Sequence, residues 1–284
     1  MAISNFIPTI WSEKLWRALD KQYIAAAHCN RDYEGDIKEK GNKVKILGVD
    51  NVAVNNYTKN TNMNAPQQMS DSVRELTINQ AKYFNFQVDD VDRAQSVPGL
   101  MDSVIRSAAN ALADDTDQYI YSLYEYAGCF ISADNRDEEE LIKAFLSART
   151  LLARNHVNNA DDIVLEVTPD VAHYIMAAKM ELQSDNGETL EKGCIGKLFG
   201  VKVFVSCNLV QEPGEGGHDG PECYHKCIMR TKRAIAYASQ LSEIEAYRPE
   251  LRFADAVKGL HLYGAKVIYP DEMVAIDVAL YDMI

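Results

Sequence analysis

This chain of 284 residues lacks most of the features that would settle its role early. No run approaches 18 apolar residues, so no segment reads as a membrane-spanning helix. Met1 to Ile10 lack a basic stretch followed by an apolar one, so a secretory signal is not expected. The six cysteines, Cys29, Cys129, Cys194, Cys207, Cys223 and Cys227, are scattered along a chain too long for a disulfide framework. Reduced thiols in a cytosol are the expectation. No run of Lys and Arg exceeds two residues, and the net charge is −13 with a pI near 4.9. Such a surface repels phosphates, which disfavours a sequence-reading nucleic-acid binder. An acidic container for DNA stays open, because a basic wall would grip the phosphates it has to release.

Catalytic signatures are also missing. The chain has no G-x-S-x-G, no H-E-x-x-H and no G-x-x-x-x-G-K-[ST]. The nearest approach to a phosphate loop is Gly193–Gly200. There Leu198 stands where a hydroxyl would bind magnesium, and the segment precedes a strand instead of following one. Asp89, Asp90 and Asp92, and likewise Asp114, Asp115 and Asp117, could pair carboxylates or hold a divalent cation. Among 42 acidic residues they read better as solvated faces, or as ion pairs between subunits with Arg93 and Arg106. The one candidate metal cluster is His218, Cys223, His225 and Cys227. Its ligand types suit zinc, but C-x-H-x-C on a strand would spread the ligands over about 13 Å. No cofactor is expected.

What is present is a chain that is 47% hydrophobic, with Leu, Ile, Val and Phe throughout, so an ordered core is expected. Residues 9–27 predict an amphipathic helical arm, with Trp11, Leu15, Leu19, Tyr23 and Ala26 on one face. Val44, Ile46, Val52 and Val54 suggest strands. A polar stretch from Asn55 to Ser72 follows. Val73 to Val88 then alternates, with Leu76, Ile78, Phe84, Phe86 and Val88 sharing a face. One strand of that length would span roughly 50 Å, two to three times the usual length. A ribbon so long cannot bury its own faces, and a neighbouring subunit is the simplest cover. Residues 97–127 predict one long helix. Its apolar stripe is Leu100, Val104, Ala108, Ala111, Leu112, Tyr119, Leu123 and Tyr126, Asp117 lies on the other face, and Gly128 is the stop.

From residue 137 the pattern is mixed. A helix opens on acids and carries Leu141, Phe145, Ala148 and Leu152 as its core face. Ile163 to Val167 is a strand. Thr168 and Pro169 open a helix through about Leu182. Val201, Val203 and Val205 alternate, residues 211–221 form a Gly- and Pro-rich loop, and strands are expected at 225–231, 233–238, 264–269 and 273–280.

Several stretches together resemble a known family. They are Phe6-Ile7-Pro8-Thr9-Ile10-Trp11-Ser12, Asn30 to Ile37 ahead of Gly41-Asn42-Lys43-Val44, Tyr57 to Asn60, and Phe84 to Arg93. Later come Gly193-x-Ile195-Gly196-x-x-x-Gly200-x-x-Val203-x-x-Ser206-x-x-Leu209 and Tyr247-Arg248-Pro249 through Val267. In this order they resemble the major capsid proteins of tailed bacteriophages, the Hong Kong 97-type fold, over nearly the whole chain. The resemblance implies an α+β fold with an N-terminal arm (1–40) and an extended β-hairpin loop (41–88). It implies a peripheral domain (89–131 and 247–284) holding a spine helix (97–127), and an axial domain (132–246). It also implies a non-enzymatic shell protein that assembles with itself into pentamers and hexamers around double-stranded DNA, bound non-specifically, with no membrane partner. The virion would be its location and the host bacterial cytoplasm its place of assembly. Since the chain begins at its arm, a separate scaffolding protein is expected, and a portal besides. Contact residues between subunits are expected at Trp11, Leu15, Tyr57, Lys59, Leu76, Ile78, Phe84, Phe86, Asp90 and Arg93. The alternatives are an encapsulin-like nanocompartment shell and, more remotely, a zinc-dependent cytosolic hydrolase using the His218–Cys227 cluster.

Overall fold

The computed structural model describes residues 23–33, 43–49, 56, 59, 71–89, 100–134, 138–177, 194–214, 223–250 and 254–281. Among them the chain is α+β, with three helices and three sheets. The strands are β1 (Lys43–Val49), β2 (Asp71–Thr77), β3 (Gln80–Asp89), β4 (Cys129–Asp134), β5 (Ile163–Val167) and β6 (Cys194–Leu198). They continue with β7 (Val201–Val205), β8 (Gln211–Pro213), β9 (Cys223–Thr231), β10 (Ile235–Tyr247), β11 (Ala254–Val267) and β12 (Met273–Leu280). The helices are α1 (Leu100–Ser122), α2 (Glu138–Arg154) and α3 (Pro169–Ala177).

One half of the molecule is layered around a three-stranded antiparallel sheet in the order β10-β11-β3. The hairpin of β1 and β2 covers one face. Val44, Ile46, Leu76 and Ile78 bury there against Ala236, Ala238, Leu262 and Ile268. Helix α1 covers the other face, where Ile105, Ala109, Leu112 and Ala113 share a core with Tyr237, Tyr263 and Ala265. The other half is a seven-stranded mixed sheet in the order β4-β12-β9-β5-β7-β6, with β8 beside β9. Helices α2 and α3 pack on one of its faces through Leu141, Phe145, Leu152, Val171 and Ile175. Burying each of the large apolar side chains of α2 is worth about 1.5–3 kcal/mol. The opposite face carries Ile228 and Ala275 against the end of α1, and Val164 and Phe204 against Ile24.

Several expectations hold as stated. Leu141, Phe145, Ala148 and Leu152 are all buried, β5 and β12 fall where the sequence put them, and Thr168 Oγ1 accepts the Val171 N–H at the start of α3. Others need correction. The single long strand at 73–88 is two strands in different sheets, meeting at Ile78 and Asn79. The corner is pressed against Gly264, where a Cβ would lie 2.4 Å from the Thr77 carbonyl oxygen. Helix α1 tightens into a 3-10 turn at Leu123–Tyr126 before Gly128 is reached. Its buried stripe is rotated from the expected one. Ile105, Ala109, Ala113 and Ile120 are inside, while Ala111 and Tyr126 are exposed. Asp117, placed on the solvent face from sequence, is 1% exposed. The described end of the 9–27 arm is not α-helical: Ala26–His28 is a 3-10 turn, and residues 9–22 lie outside the described residues. The strands expected at 233–238 and 264–269 are the ends of much longer ones, β10 and β11.

β12 lies between β4 and β9 in the seven-stranded sheet, and β10 pairs along its length with β11.

Candidate functional site

The structure concentrates buried charge where residues 23–30 cross from one half of the molecule to the other. Glu166 on β5 and Arg230 on β9 are both fully buried. They project from the face of the seven-stranded sheet opposite α2, because Glu166 pairs with Ile228 and Val164 with Arg230 in the antiparallel register. Arg230 donates from Nε to Glu166 Oε2 at 2.9 Å and from Nη2 to Oε1 at 3.0 Å. This is the two-pronged geometry that guanidinium and carboxylate favour. Of the remaining donors, Nη2 reaches the Ala25 carbonyl at 3.0 Å, and Nη1 reaches the His28 carbonyl at 2.7 Å and Cys29 Sγ at 3.5 Å.

Asp117, near the end of α1, holds the same segment from the other side. Its carboxylate accepts the Ile24 N–H at 2.9 Å and the Ala26 N–H at 3.2 Å. His28 packs on Phe204, with ring centroids 4.1 Å apart, and its Nδ1 lies 3.5 Å from Glu166. Tyr23 meets Tyr237 edge-on at 6.2 Å. Asn30 then joins the three-stranded sheet: its N–H donates to Ile235 O at 2.9 Å and its carbonyl accepts from Tyr237 N at 2.8 Å. The segment from Ile24 to Asn30 is therefore fixed largely through its main chain, whatever its side chains.

The electrostatics follow from burial. Burial pushes the Glu166 carboxyl up, but Arg230 and His28 overcome it and hold the group below the usual carboxylate range. Among the described residues, no cation lies against Asp117. Burial wins over its backbone donors, and its pKa rises from 3.8 to about 7. Burial pushes the Cys29 thiol up to about 11, so this sulfur is no nucleophile. Glu166, Arg230 and Asp117 are each engaged in holding the chain.

The sequence-predicted residues are distributed elsewhere. Trp11, Leu15, Tyr57, Asp90, Arg93 and His218 lie outside the described residues. Lys59 is exposed in a turn. Leu76 and Ile78 are fully buried inside the chain's own core, where the three-stranded sheet covers them through Ala236, Ala238 and Leu262. Phe84 and Phe86 are half-buried, stacked at 6.0 Å and packed against the α1 core. Cys223, His225 and Cys227 do share a face of β9, but they do not converge. Cys227 sits among apolar side chains, its thiol pushed up to about 12 by burial. His225 Nδ1 is paired with Thr168 Oγ1 at 2.8 Å. Among the described residues no group of three His, Cys, Asp or Glu could hold a metal. The anchor of Asp117, Glu166 and Arg230 was missed. The only trace of it in the sequence is a charge inside an otherwise apolar strand, Ile163–Val167.

No protein-family model matches the chain. No curated protein matches it either. Solved structures do. A chain from Mycobacterium phage Che8 is 29% identical, with a TM-score of 0.69, covering 90% of this chain and 91% of its own. The capsid of Ralstonia phage GP4 gives 12% identity and a TM-score of 0.70, covering 94% and 92%. A virus-like particle from Pyrococcus furiosus gives 11% identity and a TM-score of 0.56, covering 95% and 99%. The chain has a phage-capsid fold, and the likeness spans nearly all of it.

Proposed function

We propose that this chain is the major capsid protein of a tailed bacteriophage, self-assembling into an icosahedral shell around double-stranded DNA. The observation that carries this reading is the end-to-end likeness to phage structures, including 29% identity with the Mycobacterium phage chain. In this reading the fold is of the Hong Kong 97 type. Residues before 23 form an arm that lies on a neighbour, the segment between β1 and β2 is the tip of the extended loop, and α1 is the spine helix. The buried anchor then fixes the point and direction at which the arm leaves each subunit. Shell building needs no catalytic group, and the anchor's charges are engaged with one another and with backbone. A scaffolding protein, a portal and the packaged genome are the partners this reading implies. Subunits at −13 repel one another, so assembly should need salt or paired charges.

Electron microscopy of the expressed protein tests the proposal. Shells, tubes or capsomers are expected. A protein that stays monomeric across salt and concentration, with its scaffold supplied, would overturn it. An encapsulin-like compartment would share the fold, and a gene beside an enzyme cargo with no portal nearby would mark it. The zinc-hydrolase alternative loses support from Cys227, which is sealed in the apolar core.

A further inference from the structure

The two outer edges of the seven-stranded sheet carry features that disadvantage the isolated chain. At one edge β6 and β7 are joined by the two-residue turn Phe199-Gly200, flanked by the pair Leu198 and Val201. Both turn residues have positive φ, +53° for Phe199 and +80° for Gly200. Such a turn favours Asn or Gly at its first position, and a bulky side chain there is strained. Phe199 is also 42% exposed, so burial of the ring offsets little of that strain. Directly behind it, Lys197 and Lys202 are cross-strand partners, a like-charge pairing that weakens a hairpin. Lys197 also lies 3.9 Å from Asp161.

At the other edge, β4 and the turn before it present Tyr126 (63% exposed) and Phe130 (59% exposed), with the exposed Glu125 beside them. Register places the two features at the same end of the sheet. Gly128 bonds to Pro270, just ahead of β12, and Gly200 packs on Ala160, just ahead of β5. β5 and β12 run in the same direction, since each is antiparallel to β9.

We propose that the Phe199 hairpin tip of one copy docks on the Tyr126–Phe130 edge of the next, joining subunits head to tail. This inference rests on the shell reading above. The occupant is a second copy because the surfaces differ, match in height and carry opposite charge, Lys197 and Lys202 against Glu125. Two unlike patches on opposite edges of one sheet generate a ring when the rotation closes, whereas two like patches would stop at a dimer. The strained, exposed phenylalanine is then accounted for: its cost in the monomer is recovered in the contact.

Mixed cross-linking tests it. Cys129, Cys207 and Cys223, which are not fully buried, are first replaced by Ser. In that background Phe199→Cys and Tyr126→Cys proteins are assembled separately and as a mixture, then oxidised with copper–phenanthroline and run on a non-reducing gel. A disulfide-linked dimer in the mixture alone is expected. A dimer from Phe199→Cys alone would mean a symmetric tip-to-tip contact and would overturn the proposal. Shells by microscopy with no dimer in the mixture would overturn it while leaving the shell reading intact. No assembly from wild-type protein would sink both. Independently, Phe199→Asn should raise the Tm of dissociated subunits and raise the concentration needed for assembly by roughly tenfold or more, as loss of one buried aromatic contact does. A lowered Tm would show that Phe199 serves its own fold, and would overturn the proposal.

Discussion

Arg230→Met is the sharpest perturbation of the anchor. It leaves Glu166 fully buried with only His28 nearby and strips the His28 carbonyl of its donor, while the Ala25 carbonyl keeps the His28 N–H at 3.1 Å. Removing one partner of a buried ion pair costs about 3–5 kcal/mol, because the remaining charge is uncompensated. An unpaired buried carbonyl adds on the order of 1 kcal/mol where water cannot reach it. The expected loss is about 4–6 kcal/mol, comparable with the whole stability of many domains. The double variant Glu166→Leu with Arg230→Met removes both charges at similar volume, and should recover about 1–4 kcal/mol of that loss. Urea unfolding of dissociated subunits gives both numbers. Hydrogen exchange at the Ile24 and Ala26 amides locates the effect, since these bond to the neighbouring Asp117. A single variant costing under about 1 kcal/mol, or a double variant as unstable as the two singles added, would refute the claim that the pair is coupled and carries the anchor.

Asp117→Asn should flatten the pH dependence of stability. The folded pKa of about 7 lies above the unfolded 3.8, so the folded state holds the proton more tightly. That contribution is complete below about pH 4 and is lost as the pH rises to about 7. Tm measured across that window should slope in the wild type and not in the variant, and an unchanged slope would assign the titration elsewhere. Gly264→Ala should destabilise by about 1–3 kcal/mol or more, since backbone cannot yield as a side chain does. Its Cβ would meet the Thr77 carbonyl at 2.4 Å, and the exchange of β2 amides should rise with the fall in Tm. Maleimide at neutral pH should label the exposed Cys207 in native subunits, whereas Cys29 and Cys227, with thiols at about 11 and about 12, should label only after denaturation. Peptide mass spectrometry distinguishes the sites.

The parts of the fold that were legible are those where local pattern and tertiary demand agree. α2 keeps its charges off one face, so Leu141, Phe145, Ala148 and Leu152 could be named from spacing alone. Thr168-Pro169 announces α3 because a capping hydroxyl followed by proline suits little else. The failures have one kind of cause. α1 is rich in Ala on both sides, so the stripe could be drawn one residue off, and Asp117 looked like surface because an unpaired carboxylate usually is. Its backbone donors lie 91 and 93 residues away in sequence. Glu166 and Arg230 are 64 apart and were unreadable as a pair for the same reason. β11 is covered on both faces, by the β1–β2 hairpin and by α1, so Ala254 to Val267 shows no alternation to find. The break between β2 and β3 depends on Gly264, which no local window around Ile78 contains.

The anchor also bears on why the contact is polar at all. Ala25 and Ala26 could have been held by apolar packing, but apolar contact has no direction, and a small-residue segment can slide along it. Asp117 and Arg230 instead take named backbone groups: two N–H donors on one side and two carbonyls on the other. A slip of one residue would misplace all four and leave buried charge unpaired. In the proposed shell, such a slip would break the repeat between equivalent copies. The double variant Glu166→Leu with Arg230→Met therefore has a second expected result: subunits more stable in urea than Arg230→Met that nevertheless assemble into irregular or open particles. Particle diameters from electron microscopy, narrow for wild type and broad for the variant, are the measure. Uniform shells from the double variant would show that apolar packing alone sets the register, and that the buried charges contribute stability only as a pair.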